Sequence, residues 1–383
     1  MVIGVLFTRG VSLKVWLEKG LLYREKQLYE AFLFSGNATK IYWFTYGVDD
    51  MGLAKSLYEK QELDPRIVIV PMPNLFFLFK SFAFLYALLL PIIHYKKILK
   101  CSFVKSNQAD GSQAAWFAKL IFRKYFLFRT GYTLSSFTQK KYGKNLKYLY
   151  ARLVETISYK LSDAAIVTSK GDYNYVKKVY KKLNLYINYN FIDIKSFKDM
   201  SDHIERKNRL LFVGRLSAQK NLPSLLDAIK NLKIGADFYG DGELSVKISA
   251  LIQSKNIDVV LKGSIKNSDL PRVYNQYKYF ILPSLYEGMP KTLIEAMSCR
   301  CLCIGTNVSG TNELITDQTG VLVQDVSPSS LQKGILEAYA FNENELQEKT
   351  ETARRYIKAN FSLENHLFNE LSIIHSFTKG API

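Results

Sequence analysis

Residues 282–297 read LPSLYEGMPKTLIEAM, and this stretch decides the fold. The apolar run that leads into it, residues 279–282, has the length and the aromatic and β-branched content of a buried strand. Pro290 suits the first turn of a helix, where its missing N–H group costs nothing, and residues 292–297 continue as helix formers. A strand, a glycine-containing turn and a helix start present backbone N–H groups and a positive dipole end. The stretch therefore predicts a binding site for a diphosphate.

Two carboxylates flank the predicted diphosphate-binding site. Glu287 lies on the turn, and Glu295 lies about one turn into the helix, so each can accept hydrogen bonds from hydroxyl groups of a sugar or a ribose. Glu295 also follows Lys291 by four positions, and for an isolated Glu a surface ion pair would be the commoner interpretation. The complete string favours the ligand-binding interpretation.

That string, in which seven residues separate the two Glu residues after Pro-Ser, closely resembles the signature of the family-4 retaining glycosyltransferases, also known as glycosyl transferases group 1. The resemblance implies an α/β chain of the GT-B fold, with two facing Rossmann-like domains that have parallel sheets, and a C-terminal helix that returns to the first domain. It also implies a nucleotide-sugar substrate, no cofactor and no metal ion.

The resemblance is strong over residues 209–324 and implies roles for individual positions. A predicted strand at 209–213 precedes Arg215 and Lys220, which match the family's diphosphate-binding Arg and Lys. Taken singly, each would more often be a solvated surface residue. The predicted catalytic residues are Glu287, Arg215 and Lys220. The predicted donor-binding residues are Gly214, Gly240, Gly242, Gly263, Gly288, Met289, Pro290, Lys291, Thr292, Leu293 and Glu295.

The first half resembles the family only in its topology. Turns follow predicted strands at 102–106 and 125–128, and open α/β sheets bind ligands at the carboxyl ends of their strands. The predicted acceptor-side residues are Gly10, Asn107, Gln108, Arg129 and Tyr132. Many relatives carry a His in the second of these turns, but this chain does not, so no catalytic His is predicted.

A chain of 383 residues is too long for one ordinary core and predicts two domains. We predict an acceptor-binding, membrane-facing domain at 1–194, a linker at 195–208, a nucleotide-sugar-binding domain at 209–360 and a helix at 361–383 that packs on the first domain. Residues 10–20 are predicted as a loop. Alternating strand and helix patterns predict parallel sheets.

Charge is concentrated in the first half of the chain. Residues 1–200 contain 31 Lys and Arg against 14 Asp and Glu, whereas the remainder contains 21 against 20. Such an excess predicts an anionic partner: nucleic acid, acidic lipid or a phosphorylated acceptor. No familiar nucleic-acid-binding motif accompanies it, so nucleic acid is not predicted as the partner, although a basic nucleic-acid-binding protein stays the alternative from another class.

The apolar segment at 75–93 approaches the length that crosses a bilayer. A spanning helix there would split the first sheet. We therefore predict a helix in the plane of the membrane surface, with Lys80, Lys96, Lys97 and Lys100 at anionic headgroups. A core helix packed on the sheet is the alternative.

Three of the four cysteines, Cys299, Cys301 and Cys303, lack the paired spacing and the nearby His of a zinc site. We predict small buried thiols and no metal site. With no disulfide framework and no leader at the N-terminus, a cytoplasmic location is predicted.

These observations predict a metal-independent, retaining transferase that is peripherally associated with the inner face of the cell membrane. Its donor would be a nucleotide-sugar, with a UDP-sugar favoured. Its acceptor would be a hydroxyl group of a lipid-linked or cell-surface glycan, such as lipopolysaccharide, capsule or a polyprenyl-linked oligosaccharide. An enzyme that makes a soluble polysaccharide is the alternative within the same class.

Overall fold

The computed structural model describes residues 1–77, 82–200 and 203–378. Within them the chain forms two compact units. Unit 1 consists of Met1–Thr168, Asp172–Asn188 and the chain from Leu367 onward, and unit 2 consists of Ser169–Gly171 and Tyr189–His366. The predicted division at 194 thus differs from the observed one by a few residues.

Unit 1 is built on a parallel sheet with helices on its faces. Its strands are β1 (Val2–Leu6), β2 (Lys40–Phe44), β3 (Ile67–Val70), β4 (Phe103–Ser106), β5 (Tyr125–Arg129), β6 (Ala164–Val167) and β7 (Leu185–Ile187). Its helices are α1 (Leu13–Glu18), α2 (Leu22–Phe34), α3 (Asp50–Glu59), α4 (Phe82–Ile93), α5 (Tyr95–Lys100), α6 (Gln113–Phe122), α7 (Leu134–Tyr142), α8 (Leu146–Leu161) and α9 (Lys170–Val179). The strands lie in the order β3-β2-β1-β4-β5-β6-β7.

Unit 2 has a second parallel sheet. Its strands are β8 (Lys207–Val213), β9 (Ala236–Tyr239), β10 (Val259–Gly263), β11 (Tyr277–Leu282), β12 (Leu302–Thr306) and β13 (Gly320–Val323), in the order β10-β9-β8-β11-β12-β13. The helices that follow are α10 (Leu222–Ile229), α11 (Ser245–Lys255), α12 (Leu270–Asn275), α13 (Lys291–Ser298), α14 (Pro328–Ala340), α15 (Glu343–Asn360) and α16 (Leu363–Thr378). Helix α16 lies within the helix predicted at 361–383, and its residues from Leu367 onward belong to unit 1.

The strand order places one topological switch point in each sheet. In unit 1 the chain runs outward from β1 to β3 and then returns to β4 beside β1; in unit 2 it returns to β11 beside β8. Strands of parallel sheets that are covered on both faces read as continuous apolar runs, as in β6, whose residues Ala-Ala-Ile-Val are all buried. Ligands of such sheets bind outside the carboxyl ends of the strands at the switch point. The loops after β1 and β4, and after β8 and β11, are therefore the first places to look for sites.

Two predictions about connecting segments are wrong in part. The predicted loop at 10–20 contains α1, which begins at a capping contact in which the Val15 N–H donates to Ser12 Oγ over 3.1 Å. This helix places the Trp16 ring 4.0 Å from the ring of Phe7. The predicted linker at 195–208 ends too late, because Lys207 already pairs with Tyr277 in the sheet.

The apolar segment at 75–93 forms a 3-10 turn, Asn74–Phe77, and helix α4. Residues 78–81, with Lys80, lie outside the described residues. Helix α4 buries Tyr86 and Leu90 on one face and exposes apolar side chains such as Leu85 and Ile92 on another. The helix is therefore half-buried. None of the described helices is both apolar and long enough to cross a bilayer.

The chain from Leu367 onward packs on the sheet of unit 1. Lys105 in β4 forms an ion pair with Glu370, and the two side chains are only 2% and 1% exposed. The ring of Phe377 lies 6.1 Å from the ring of Phe103 and 5.9 Å from that of Tyr125. A buried charge pair and an aromatic cluster thus fix the second part of α16 to β4 and β5.

Candidate active site

The turn between β11 and α13 is fixed by hydrogen bonds and by close backbone packing. Ser284 Oγ donates to Glu287 Oε1 over 2.6 Å, and Thr306 Oγ1 donates to the Ser284 carbonyl over 2.6 Å. Gly310 has a positive φ of +76°, and a Cβ atom there would lie 1.7 Å from the Gly288 carbonyl oxygen. Only glycine fits at that position, so the loop after β12 supports the turn from the side.

Lys220 reaches this turn from the end of β8. Its Nζ lies 2.5 Å from Glu287 Oε1, and the two side chains are 13% and 8% exposed. Gln219 Nε2 donates to the Tyr286 carbonyl over 2.8 Å and to Glu287 Oε2 over 3.3 Å. Two residues 67 positions apart in sequence therefore meet at the switch point of unit 2. A nearly buried pair of this kind is costly to break, because the remaining partner keeps an uncompensated charge.

Arg215 behaves differently from Lys220. Its side chain is exposed, and its guanidinium makes no hydrogen bond or ion pair within residues 1–77, 82–200 and 203–378. A cation in this state is available to an anionic ligand. Its assignment to a diphosphate stays a prediction.

Four of the five predicted donor-side glycines, all except Gly288, lie at the ends of three neighbouring strands, β8, β9 and β10. A Cβ atom at Gly240, where φ is +136°, would lie 1.9 Å from the Gly214 carbonyl oxygen, and one at Gly242 would lie 2.4 Å from the Leu216 carbonyl oxygen. The Gly240 N–H donates to the Gly263 carbonyl over 2.8 Å. At these strand ends a ligand can therefore approach the backbone without meeting a side chain.

Helix α13 begins with Pro290 as its N-terminal cap and Lys291 as its first residue. The N–H of Thr292 has no hydrogen-bond partner among the described residues. Residues 190 and 191, which follow β7, contact both ends of this turn. Asn190 Nδ2 donates to the Met289 carbonyl over 2.9 Å, and Lys291 Nζ lies 5.3 Å from the centre of the Phe191 ring. Asn190 and Phe191 were not predicted as site residues.

Glu295 lies deeper than the other carboxylate. It is 2% exposed, and its Oε2 accepts a hydrogen bond of 2.9 Å from the hydroxyl of the buried Tyr274. Burial, followed by the charge of Glu295, raises the pKa of Tyr274, which keeps this hydroxyl a donor. The predicted contact of Glu295 with a ribose stays a prediction.

Four of the predicted acceptor-side residues lie at the ends of β4 and β5, and two hydrogen bonds tie these two turns together. Arg129 Nη1 donates to the Asn107 carbonyl over 3.1 Å, and the Gly131 N–H donates to Gln108 Oε1 over 2.9 Å. Tyr132 packs its ring 4.5 Å from that of Phe137. Gly10 is exposed in the loop after β1.

A second charged pair at the switch point of unit 1 was missed in the sequence. Arg9 binds Asp110 in a bidentate manner, with Nε–Oδ1 at 3.0 Å and Nη2–Oδ2 at 3.1 Å. The guanidinium lies 5.6 Å from the centre of the Phe84 ring and 5.5 Å from that of Tyr150. The hydroxyl of Tyr46 is buried without a hydrogen-bond partner, and the charge of Asp110 adds to burial in raising its pKa. The only sequence signal was that Arg9 and Asp110 each follow a strand.

The described residues contain no group of three or more His, Cys, Asp or Glu side chains that could hold a metal ion. All four cysteines are buried free thiols, which confirms the prediction of buried thiols for Cys299, Cys301 and Cys303. Burial raises the pKa of Cys301 to about 12, so this thiol stays protonated at neutral pH.

Residues 193–359, which include the Lys220–Glu287 pair, match the family model described as glycosyl transferases group 1. A curated relative from Campylobacter jejuni, "GalNAc-alpha-(1->4)-GalNAc-alpha-(1->3)-diNAcBac-PP-undecaprenol alpha-1,4-N-acetyl-D-galactosaminyltransferase", is 31% identical over 216 residues, which cover 54% of this chain and 58% of the relative. The chain spans little more than half the length of the curated relatives it matches.

Solved structures show the fold over the whole chain. Sucrose-phosphate synthase from Thermosynechococcus elongatus aligns with a TM-score of 0.79 and 16% identity over 100% of both chains. HepE from Anabaena, solved with UDP and glucose, aligns with a TM-score of 0.75 and 14% identity over 98% of this chain and 99% of its own. The predicted GT-B fold class is confirmed.

Proposed function

We propose that this chain is a glycosyltransferase that moves a sugar from a nucleotide-sugar to a hydroxyl group of a lipid-linked or cell-surface glycan. The observation that carries the proposal is the Lys220–Glu287 contact at the switch point of unit 2, inside the residues that match the family. HepE was solved with UDP and glucose, which supports a UDP-sugar as the favoured donor. The name of the Campylobacter relative specifies an undecaprenol diphosphate glycan, which supports the acceptor class.

The donor diphosphate is placed at Arg215, Lys220 and the start of α13. Negative charge grows on the leaving diphosphate as its bond to the sugar breaks, and fixed cations and N–H groups stabilise that charge without rearrangement. The exposed Arg215 guanidinium and the unpaired Thr292 N–H supply two such donors beside Lys220. The bare glycine backbone at the ends of β8 to β10 gives the nucleotide room to lie against the sheet.

Glu287 has two tasks in this proposal. Its Oε1 holds the ammonium of Lys220 and the hydroxyl of Ser284, and its Oε2 has only the long contact of 3.3 Å from Gln219. Oε2 can therefore accept a hydrogen bond from a sugar hydroxyl. Glu295 would bind the ribose in the same way.

The reaction is proposed to proceed with retention of configuration and without a metal ion or a cofactor. The acceptor oxygen forms a bond to the anomeric carbon, the bond from that carbon to the diphosphate breaks, and a departing phosphate oxygen takes the proton of the acceptor hydroxyl. On unit 1, the acceptor is placed at the ends of β1, β4 and β5. The Arg9–Asp110 pair, Asn107, Gln108 and Arg129 offer donors and acceptors there.

Peripheral contact with the inner face of the cell membrane completes the proposal. Helix α4 exposes Leu85 and Ile92, and α5 adds the exposed Lys96 and Lys100. Apolar side chains next to lysines suit the interface of an anionic bilayer. The charge excess of residues 1–200 supports the same assignment.

The test measures the rates of sugar transfer and of donor hydrolysis with a panel of nucleotide-sugars. It compares the original chain with the variants Glu287→Gln, Lys220→Ala and Arg215→Ala. We expect the rate of the first two variants to fall by about 10²–10³, the loss typical of one electrostatic stabiliser, and that of Arg215→Ala to fall by at least about tenfold.

Lys230→Ala is the matched control, because Lys230 is an exposed lysine of the same unit at the end of α10. Its rate should stay within about a factor of two of the original, which corresponds to less than about 0.5 kcal/mol. If all three site variants behave like this control, and circular dichroism shows that they are folded, the site assignment is wrong.

A further inference from the structure

Helix α8 carries a row of exposed leucines. Leu146, Leu149 and Leu153 are 83%, 57% and 58% exposed. Their spacing of three and four positions places them on one face of the helix. The opposite face buries Ala151 and Val154 among other residues. We name these three residues the leucine row. Exposed leucines occur singly on most proteins, but three in register on one helix form an apolar surface.

A cluster of exposed lysines borders the leucine row. Lys140, Lys141, Lys144 and Lys147 lie within the end of α7, the turn after it and the start of α8, and all four are exposed. In the sequence, residues 111–154 contain nine Lys and Arg and no Asp or Glu. This part of the chain therefore has a strong positive potential.

An exposed aromatic ring lies among the lysines. Tyr142 is 48% exposed, and Lys141 Nζ and Lys147 Nζ lie 5.3 Å and 4.6 Å from the centre of its ring. Leucine, tyrosine and lysine are the residue types that a membrane interface attracts, since apolar side chains reach the acyl chains, aromatic rings lie at headgroup level and lysines bind anionic headgroups.

We propose that the leucine row and the lysines of residues 140–147 form a docking surface for an anionic lipid bilayer, with the first half of α8 lying in the headgroup region. The surface adjoins the one already assigned to α4, because the Phe84 ring of α4 contacts the Tyr150 ring of α8 at 6.4 Å. This proposal rests on the proposed function, because an enzyme that acts on a lipid-linked acceptor has to reach that acceptor at the membrane.

Two other occupants fit the surface less well. A second copy of the chain bound through a two-fold axis would bring these lysines against the same lysines of its partner, which is repulsive. A nucleic acid would satisfy the lysines, but its phosphate backbone offers no apolar partner for the leucine row.

The experiment measures binding of the full chain to vesicles by flotation, without donor or acceptor. The vesicles contain phosphatidylglycerol mixed with phosphatidylcholine, or phosphatidylcholine alone. We expect the triple variant Leu146→Gln, Leu149→Gln, Leu153→Gln to bind the anionic vesicles at least about tenfold more weakly, because three apolar contacts are lost. Replacement of the four lysines by Gln should remove the preference for anionic over neutral vesicles.

The control variant replaces three exposed apolar residues on other surfaces, Leu17→Gln, Val246→Gln and Leu336→Gln, whose exposures are 41%, 85% and 48%. It should bind vesicles like the original chain. Circular dichroism of every variant separates loss of binding from loss of the fold.

Three results would overturn the proposal: a folded leucine variant that binds anionic vesicles as well as the control, a self-association that the leucine variant abolishes, or binding to an oligonucleotide with no binding to vesicles. Because the vesicle assay contains no sugar, this proposal can fail while sugar transfer by the Glu287 site stands, and the reverse also holds.

Discussion

The two switch points of this chain are built from the same kind of charged pair but in different ways. In unit 2, Lys220 and Glu287 are 13% and 8% exposed, and hydroxyl and amide groups hold the carboxylate. In unit 1, Arg9 and Asp110 are 29% and 28% exposed, and the rings of Phe84 and Tyr150 flank the guanidinium. One site is made of backbone and buried charge, and the other of side chains at the surface.

Under the proposed function, this difference fits the ligand of each site. A diphosphate is the same in every nucleotide-sugar, so glycine backbone and a fixed lysine suit it, and these features leave a sequence pattern. An acceptor glycan differs from one enzyme to another, and surface side chains can change with it. This contrast agrees with the family match, which covers residues 193–359 and so lies in unit 2.

The largest expected effect is on the free energy of unfolding of unit 1, and it follows from a difference between the strands beside the two switch points. Strand β11 buries apolar side chains, whereas β4 buries the Lys105–Glu370 pair. Removal of one partner leaves a buried charge, so we expect Lys105→Ala or Glu370→Ala to lower the free energy of unfolding of unit 1 by about 3–5 kcal/mol. All three tryptophans, Trp16, Trp43 and Trp116, lie in unit 1, so their fluorescence in urea reports this unit.

Two controls accompany this measurement. The double variant Lys105→Met, Glu370→Leu removes both charges and should be far less destabilised than either single variant. Lys119→Ala breaks the pair with Asp163, whose side chains are 28% and 21% exposed, and should cost about 1 kcal/mol or less. Equal losses for Lys105→Ala and Lys119→Ala would show that burial of the Lys105–Glu370 pair adds nothing to its effect on stability.

A smaller effect is expected from Glu155, a buried carboxylate of unit 1 that accepts a hydrogen bond of 3.2 Å from the Ser135 N–H at the start of α7. Burial raises the pKa of Glu155 from 4.5 to about 7. Between these two values the folded chain keeps a proton that the unfolded chain has lost. Stability therefore falls as the pH rises through this window, by about 3 kcal/mol in total.

Glu155→Gln should remove this dependence. We expect the variant to gain up to about 3 kcal/mol over the original chain at pH 8 and little at pH 4.5, again by tryptophan fluorescence in urea. Burial lowers the pKa of His94 to about 4, so this residue titrates in the same window with the opposite sign. It is present in both proteins, and its contribution cancels in the difference. A difference that does not change with pH would contradict the assignment.

The sequence predicted the parts of the fold and site that one continuous stretch specifies. The strand, turn and helix around Glu287 lie within residues 277–298, and their apolar run, glycine and proline are local signals. The short strands β4 and β5 were predicted within one residue for the same reason. Helix α1 was missed because its six residues give too short a period to recognise.

The remaining features depend on contacts between distant residues. Arg9 meets Asp110 across 101 positions, and Gly310 approaches Gly288 only once β12 lies beside β11. Lys105 is an ordinary polar residue in the sequence, and its burial follows from Glu370, 265 positions later. Strand order determines all three contacts, and no local pattern encodes strand order.

The smallest effect tests the comparison of the two pairs directly. Asp110→Asn keeps the shape of the side chain but removes the charge that holds Arg9 between Phe84 and Tyr150. If unit 1 binds the acceptor, the KM for the acceptor should rise about tenfold, or about 1.4 kcal/mol, while the KM for the nucleotide-sugar stays unchanged. Asp163→Asn, in the other partly exposed pair of unit 1, is the matched control and should change neither constant. Glu287→Gln should show the opposite pattern, with a lower kcat and a higher KM for the nucleotide-sugar and no change in the KM for the acceptor. If Asp110→Asn shifted the donor constant as much as the acceptor constant, the two switch points could not have separate ligands.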